Sequence, residues 1–128
     1  MEAQSTRLRE LNDSARTTHP YPLYLYNEDL VVLSEIAELF GCSYSEAFRT
    51  AIRHGVTQTG RIYTVPERTT ATPAKKWSCV LREQDLAAAR WLAREHGLEI
   101  AETMRRCLLR LWVDLRDYRQ GLTHVSSG

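Results

Sequence analysis

The sequence predicts a mainly helical fold built around a two-stranded antiparallel β-ribbon, and three observations predict it. Two short segments alternate their apolar residues with the period of a strand. Each is followed by apolar residues at helical spacing that stop at a glycine. The whole pattern also occurs twice, because residues 21–55 align without a gap on residues 77–111 at a constant offset of 56. The offset matches Leu25 with Leu81, Asp29 with Asp85, Leu30 with Leu86, Ala37 with Ala93, Gly41 with Gly97, Glu46 with Glu102 and Arg49 with Arg105. These identities fall on a helix start, a packing alanine, a helix-ending glycine and a second helix start. Self-similarity at a fixed spacing constrains the architecture before any single element is assigned.

In the first unit Tyr21, Leu23 and Leu25 alternate with Pro22, Tyr24 and Tyr26, and the aromatic content favours an extended chain. Asn27-Glu28-Asp29 then supplies polar and acidic residues that suit a helix start through capping and the macrodipole. Leu30, Leu33, Ile36, Ala37 and Phe40 follow helical spacing. Gly41 ends that helix, since glycine accepts the left-handed geometry beyond the last turn. Ser43 opens the next helix with Glu46 three residues on, the capping-box pattern, and Ala47, Phe48, Ala51 and Ile52 give it an apolar face.

Residues 56–76 read as a linker, with Gly60, Pro66, Pro73 and several threonines. The second unit repeats the order. Trp77, Cys79 and Leu81 alternate with Ser78, Val80 and Arg82, and Glu83-Gln84-Asp85 starts a helix carrying Leu86, Ala89, Leu92, Ala93 and His96 up to Gly97. Its second helix is longer: from about Ile100, residues Met104, Cys107, Leu108, Leu111, Trp112 and Leu115 continue the stripe to Gly121. Arg105, Arg106, Arg110, Arg116 and Arg119 fall on its other faces and read as a solvated surface, with direct phosphate contact as the alternative. Tyr21, Trp77, Trp91 and Trp112 are assigned to core or groove packing. The chain thus divides into a flexible arm (1–18), a first unit (19–55), a linker (56–76), a second unit (77–120) and a tail (121–128), with the two units sharing one core.

Composition bounds the function. A chain of 128 residues, 43% apolar and 26% charged, can bury a core without a metal or disulfide staple. With 17 Lys plus Arg against 16 Asp plus Glu, the net +1 excludes a polybasic nucleic-acid chaperone and a strongly acidic tail. Cys42, Cys79 and Cys107 are odd in number and far apart, which points to neither zinc nor disulfides and to a reducing cytoplasm. No apolar run is long enough for a membrane span, and the arm lacks the apolar core of a secretory signal. Paired carboxylates, a nucleophile beside a base, metal ligands and a phosphate loop are all missing at meaningful spacing, so no enzyme, metal or cofactor is expected. His19, His54, His96 and His124 are scattered singly.

Charge is distributed unevenly along the repeat. The first unit (21–55) carries −3, the second (77–111) +1 and the linker (56–76) +3. One strand with two helices has no strand partner and an open apolar face, so it cannot close a core alone. Two copies close it by pairing their strands, and a two-stranded ribbon is one of the shapes that fits the major groove of duplex DNA.

Residues 25–30 and 37–41, with Gly41-Cys42-Ser43-Tyr44-Ser45-Glu46, resemble the ribbon-helix-helix family, as do Leu81-Arg82-Glu83-Gln84-Asp85-Leu86 and residues 93–97. The resemblance covers about 70 of the 128 residues, and the tandem arrangement in one chain is similar to the conjugation accessory members of that family. It implies a tandem ribbon-helix-helix pseudodimer whose ribbon enters the groove of double-stranded DNA. Carried onto this sequence, the DNA-reading face is Pro22, Tyr24, Lys76, Ser78 and Val80, with Arg82 at the strand end. The phosphate clamp is at Ser43, Tyr44 and Ser45, its counterpart at Glu99-Ile100-Ala101, and Arg61, Arg68 and Lys75 add electrostatic footing.

Two departures from the family pattern stand out. The outer strand face offers few of the side chains that pair with base edges, and Glu99 stands where a phosphate should approach. The expected function is sequence-specific DNA binding at an asymmetric site, as a transcriptional regulator or as an accessory factor in plasmid or phage DNA processing. The alternative is a scaffold of the same fold that holds a protein partner, favoured by the tyrosine-rich first strand and the acidic first unit. Whether chains associate further on DNA is left open by the sequence.

Overall fold

Alternation puts Leu23 and Leu25 of one segment, and Cys79 and Leu81 of the other, on a single buried face, and this is the seam on which the helices pack. The computed structural model describes residues 18–58 and 75–127, with side chains described through residue 120. In order the elements are β1 (Thr18–Leu25), α1 (Asn27–Phe40), α2 (Tyr44–Thr57), β2 (Lys75–Arg82), α3 (Glu83–His96) and α4 (Ile100–Ser127). The strands form one antiparallel two-stranded sheet with Pro22 opposite Ser78, Leu23 opposite Trp77 and Tyr24 opposite Lys76.

Both strands begin earlier than the alternation alone indicates, at Thr18 and Lys75. Pro20 and Pro22 do not interrupt β1, and the hydrogen bonds explain why. The Val80 N–H and carbonyl and the Tyr24 carbonyl bond to helix side chains. Even-numbered positions therefore direct their backbone groups out of the ladder. Pro20 and Pro22 share that parity, so their missing N–H removes no ladder bond.

Helices α1 and α3 stop as their glycines require: Gly41 and Gly97 both take φ 63°, and both N–H groups turn back to carbonyls of the last turn. The α1 start is fixed by Asp29, whose Oδ2 accepts the Tyr26 N–H at 2.9 Å. The start of α2 is capped by Ser43, whose Oγ accepts the Glu46 N–H at 3.1 Å. Helices α2 and α4 make the most extensive helix contact, and α1 and α3 each pack on both of them. Ala47, Phe48, Ala51 and Ile52 of α2 are fully buried against Met104, Cys107 and Leu108 of α4.

Four expectations need correction. Helix α4 does not end near Gly121 but runs to Ser127. A helical glycine costs only about 1 kcal/mol relative to alanine and ends a helix where the chain turns left-handed, as at Gly41 and Gly97. Arg105 and Arg110 are not solvated: they are 8% and 3% exposed, because each has a carboxylate within one turn and Arg105 also has a strand carbonyl. Trp91 is 41% exposed, since the buried stripe of α3 runs through Asp85, Ala89, Leu92 and Ala93. Phe40 is exposed as well, lying one turn past the buried α1 stripe that ends at Ile36 and Ala37, while Val32 takes a place in the core. Among the described residues, no helix is long and apolar enough to cross a membrane.

Candidate nucleic-acid interface

Because side chains alternate along a strand, burying the odd-numbered residues turns the even-numbered ones outward. The ribbon's outer face is thus built of the cross-strand pairs Pro20 with Val80, Pro22 with Ser78 and Tyr24 with Lys76. Tyr24 is 52% exposed and Val80 39%. The Lys76 Nζ lies 5.9 Å from the Tyr24 ring centroid, a cation–π distance that holds the ammonium over the exposed phenol. Arg82, opposite Thr18, is half-buried at one end of this face. Lys75 has the opposite parity and is exposed at the other end. Pro22, Tyr24, Lys76, Ser78 and Val80 are therefore brought onto one face, with Arg82 at its edge and Lys75 beside it. Arg61 and Arg68 lie outside the described residues.

The α2 N-terminus is bound to the ribbon edge. Ser45 Oγ accepts the Val80 N–H at 3.0 Å, and Arg49 Nη1 donates to the Val80 carbonyl at 2.7 Å. Tyr44 is exposed and meets Trp77 edge-on at 6.4 Å, while Phe48 stacks on the same indole at 5.7 Å. The hydroxyls of Ser43 and Ser45 are thus committed to backbone groups of the protein. What this helix end offers an anion is its first-turn N–H groups at Tyr44 and Ser45, which have no acceptor within the helix.

The equivalent start of α4 differs. Glu99 is exposed there, and its carbonyl accepts both the Thr103 N–H and the Thr103 hydroxyl at 2.9 Å. A carboxylate at this end already complements the helix dipole and repels a second anion. Arg105, one turn further on, is turned to the strand: Nη1 donates to the Tyr24 carbonyl at 2.9 Å, Nη2 to Glu102 at 3.0 Å, and the guanidinium lies 5.5 Å from the Tyr26 ring centroid. Sequence reasoning did not give Arg49 and Arg105 this role, although both are identities of the internal repeat. That identity at the start of the second helix was the available signal.

Burial pushes the Cys79 and Cys107 thiols up to about 12, so both remain protonated near neutral pH. Burial also raises the half-buried Cys42, helped by the nearby Glu46 charge. Among the described residues there is no group of three His, Cys, Asp or Glu that would hold a metal ion. This face offers one aromatic ring, one ammonium, one hydroxyl and a helix end whose N–H groups suit an anion. No family model, no curated protein and no solved structure matches the chain.

Proposed function

We propose that the chain is a tandem ribbon-helix-helix pseudodimer that binds double-stranded DNA by inserting the outer face of its ribbon into the major groove. One observation carries this reading. The apolar core lies on the inner side, and the outer pairs Pro22 with Ser78 and Tyr24 with Lys76 are left exposed on a ribbon two strands wide, the width that the groove admits. The ladder agrees with a twofold relation between the units: the repeat equivalent of Pro22 is Ser78, which is also its strand partner. Lys75, Lys76 and Arg82 supply phosphate attraction, and the α2 N-terminus fixes register on the backbone.

The two halves of the face differ, so a non-palindromic site is expected. In this reading the protein works in the cytoplasm as a transcriptional regulator or as an accessory factor in plasmid or phage DNA processing. A second reading is favoured by the apolar share of the face, Pro20, Pro22, Tyr24 and Val80, and by Glu99: the same scaffold grips a protein partner through the ribbon. Selection of bound duplexes from a random pool decides between them. A common motif enriched by the wild type and lost with Tyr24→Ala and Lys76→Ala supports DNA reading, and an unenriched pool transfers the ribbon to the protein-partner reading.

A further inference from the structure

Away from the ribbon, helices α1 and α3 flank the central α2–α4 pair and carry different outward surfaces. Between α1 and α4 lies a groove of about 180 Å³, walled by Ile36, Leu39 and Leu115 with the Trp112 indole in its lining. Its geometry is held in place. The Trp112 Nε1 donates to Glu35 Oε2 at 2.6 Å, and the Arg116 guanidinium lies 5.0 Å from the indole centroid on the same residue. An apolar cavity of about 150 Å³ accommodates benzene, so the groove has room for one aromatic ring. A pocket fixed in advance loses little freedom when it is filled.

The other flank presents what would fill it. Trp91, the residue that the offset of 56 places opposite Glu35, projects from α3 with 41% of its surface exposed. The charges match in the same sense. The groove is lined by Glu35 on its α1 side, with Glu38 exposed one turn further along that helix, and by Arg116 and Arg119 on its α4 side, while exposed Arg90 and Arg94 flank Trp91. Glu95, exposed one turn beyond Trp91, is opposite in charge to Arg116 and Arg119 of the groove. Leu39, 47% exposed, and Val31, 58% exposed, extend the apolar surface of α1. Each chain therefore carries both a donor surface and an acceptor surface, on helices that flank opposite members of the repeat.

We propose that the chain binds a second copy of itself head to tail, with Trp91 of one copy seated in the α1–α4 groove of the next and Arg90 and Arg94 facing Glu35 and Glu38. An aromatic anchor in a formed pocket with charge complementarity around it is the usual composition of an energetic hot spot. Such a contact joins two different surfaces, and made head to tail it extends into a linear array wherever its rotation does not close a ring. The inference does not depend on the DNA reading, since none of these residues lies on the ribbon.

Sedimentation of the purified full chain without DNA, over a range of concentrations, tests it. The wild type is expected to show mass rising continuously past the dimer. Trp91→Ala, which removes the anchor, and Leu39→Arg, which blocks the groove, are each expected to weaken association by roughly tenfold or more. Both positions are exposed, and circular dichroism checks that each variant keeps the wild-type fold. Trp91→Ala retains a working groove and Leu39→Arg a working anchor, so an equimolar mixture of the two is expected to form a 1:1 complex that grows no further. A wild type monomeric throughout, a closed dimer, unchanged assembly of either variant, or a mixture that stays monomeric would each overturn the proposal.

Discussion

Arg49 and Arg105 make the same contact in opposite directions: Arg49 on α2 donates to the carbonyl of Val80 in β2, and Arg105 on α4 donates to the carbonyl of Tyr24 in β1. Each helix is thereby tied to the strand of the other unit, and both edges of the ribbon have a carbonyl occupied. An open ribbon edge is a template for unwanted pairing, so the two arginines serve both cohesion and solubility. They are not equal. Arg105 is 8% exposed and also holds Glu102 and the Tyr26 ring, whereas Arg49 makes its strand contact in a more open setting.

Arg105→Ala is therefore expected to destabilise the fold by about 2 kcal/mol and Arg49→Ala by about 1 kcal/mol, because Arg105 is the more buried of the two and bonds a part-buried strand carbonyl and one oxygen of Glu102, whose other oxygen stays with Arg106. Urea unfolding of the two variants measures the difference. Equal losses would mean that the buried partners of Arg105 contribute nothing beyond the strand contact.

Gly55 lies where α2 crosses α4, and a Cβ placed on it would come within 2.5 Å of Cys107 Sγ and 3.4 Å of Leu92 Cδ1. Alanine in a helix is ordinarily favoured over glycine by about 1 kcal/mol, but overpacking of a core costs about 1–3 kcal/mol. Gly55→Ala is expected to be destabilising for this reason. The Gly55→Ala, Cys107→Ala pair should recover part of the loss, because the new methyl occupies the space the sulfur leaves. A double-mutant cycle reads this as a coupling of about 1 kcal/mol, and additive effects would place the clash elsewhere.

The architecture was legible because it rests on local rules. Alternation identified the strands and set Pro22, Tyr24, Ser78 and Val80 against their apolar neighbours, the family resemblance added Lys76 to that face, and Gly41 and Gly97 stop their helices in the left-handed turn that glycine permits. What the sequence concealed depends on partners distant in the chain. Arg105 and Arg110 look like surface charge until Tyr24 and Asp114 are seen beside them. The paired Asp29 and Asp85 look like equivalent helix starts and are equally buried. Yet Asp29 accepts a backbone N–H, while Asp85 sits 3.3 Å from Arg53 Nε on another helix. Trp91 lies off the buried stripe of α3, so its aromatic bulk does not carry it into the core.

Asp114 joins α2 to α4, accepting from Arg110 on its own helix and lying 2.6 Å from His54 Nε2. Partial burial opposes its ionisation, but the hydrogen bonds and charges of Arg110 and His54 outweigh that and hold its carboxyl below the usual value. A carboxyl depressed in the folded state contributes stability above its unfolded pKa of about 3.9, and that contribution is lost as pH falls through the lower folded value. Asp114→Asn is expected to remove this part of the acid limb, flattening stability against pH below about 4. Near neutral pH it should cost roughly 2–3 kcal/mol, since the buried Arg110 loses one counter-charge and His54 a hydrogen-bond partner. Thermal unfolding from pH 2 to 7 measures both, and an unchanged acid limb would remove Asp114 from the account of acid sensitivity.

If the ribbon reads DNA, the residues of its outer face should separate by the kind of contact they make. Lys76 presents an ammonium over Tyr24 and contributes charge, so Lys76→Ala should weaken binding on all duplexes and lower the slope of log affinity against log salt by about 1. Tyr24 carries no charge and is the largest side chain on the outer face, 52% exposed, so Tyr24→Ala should leave the salt slope unchanged while reducing discrimination between the selected site and random duplex. Because the Tyr24 side chain points away from the helices and its carbonyl remains available to Arg105, the substitution separates recognition from folding. Fluorescence anisotropy at several salt concentrations distinguishes the two effects. A Tyr24→Ala loss that is uniform across sequences would indicate a general packing contact with the sugar-phosphate backbone, and a Lys76→Ala variant with an undiminished salt slope would place the electrostatic contact at Lys75 or Arg82 instead.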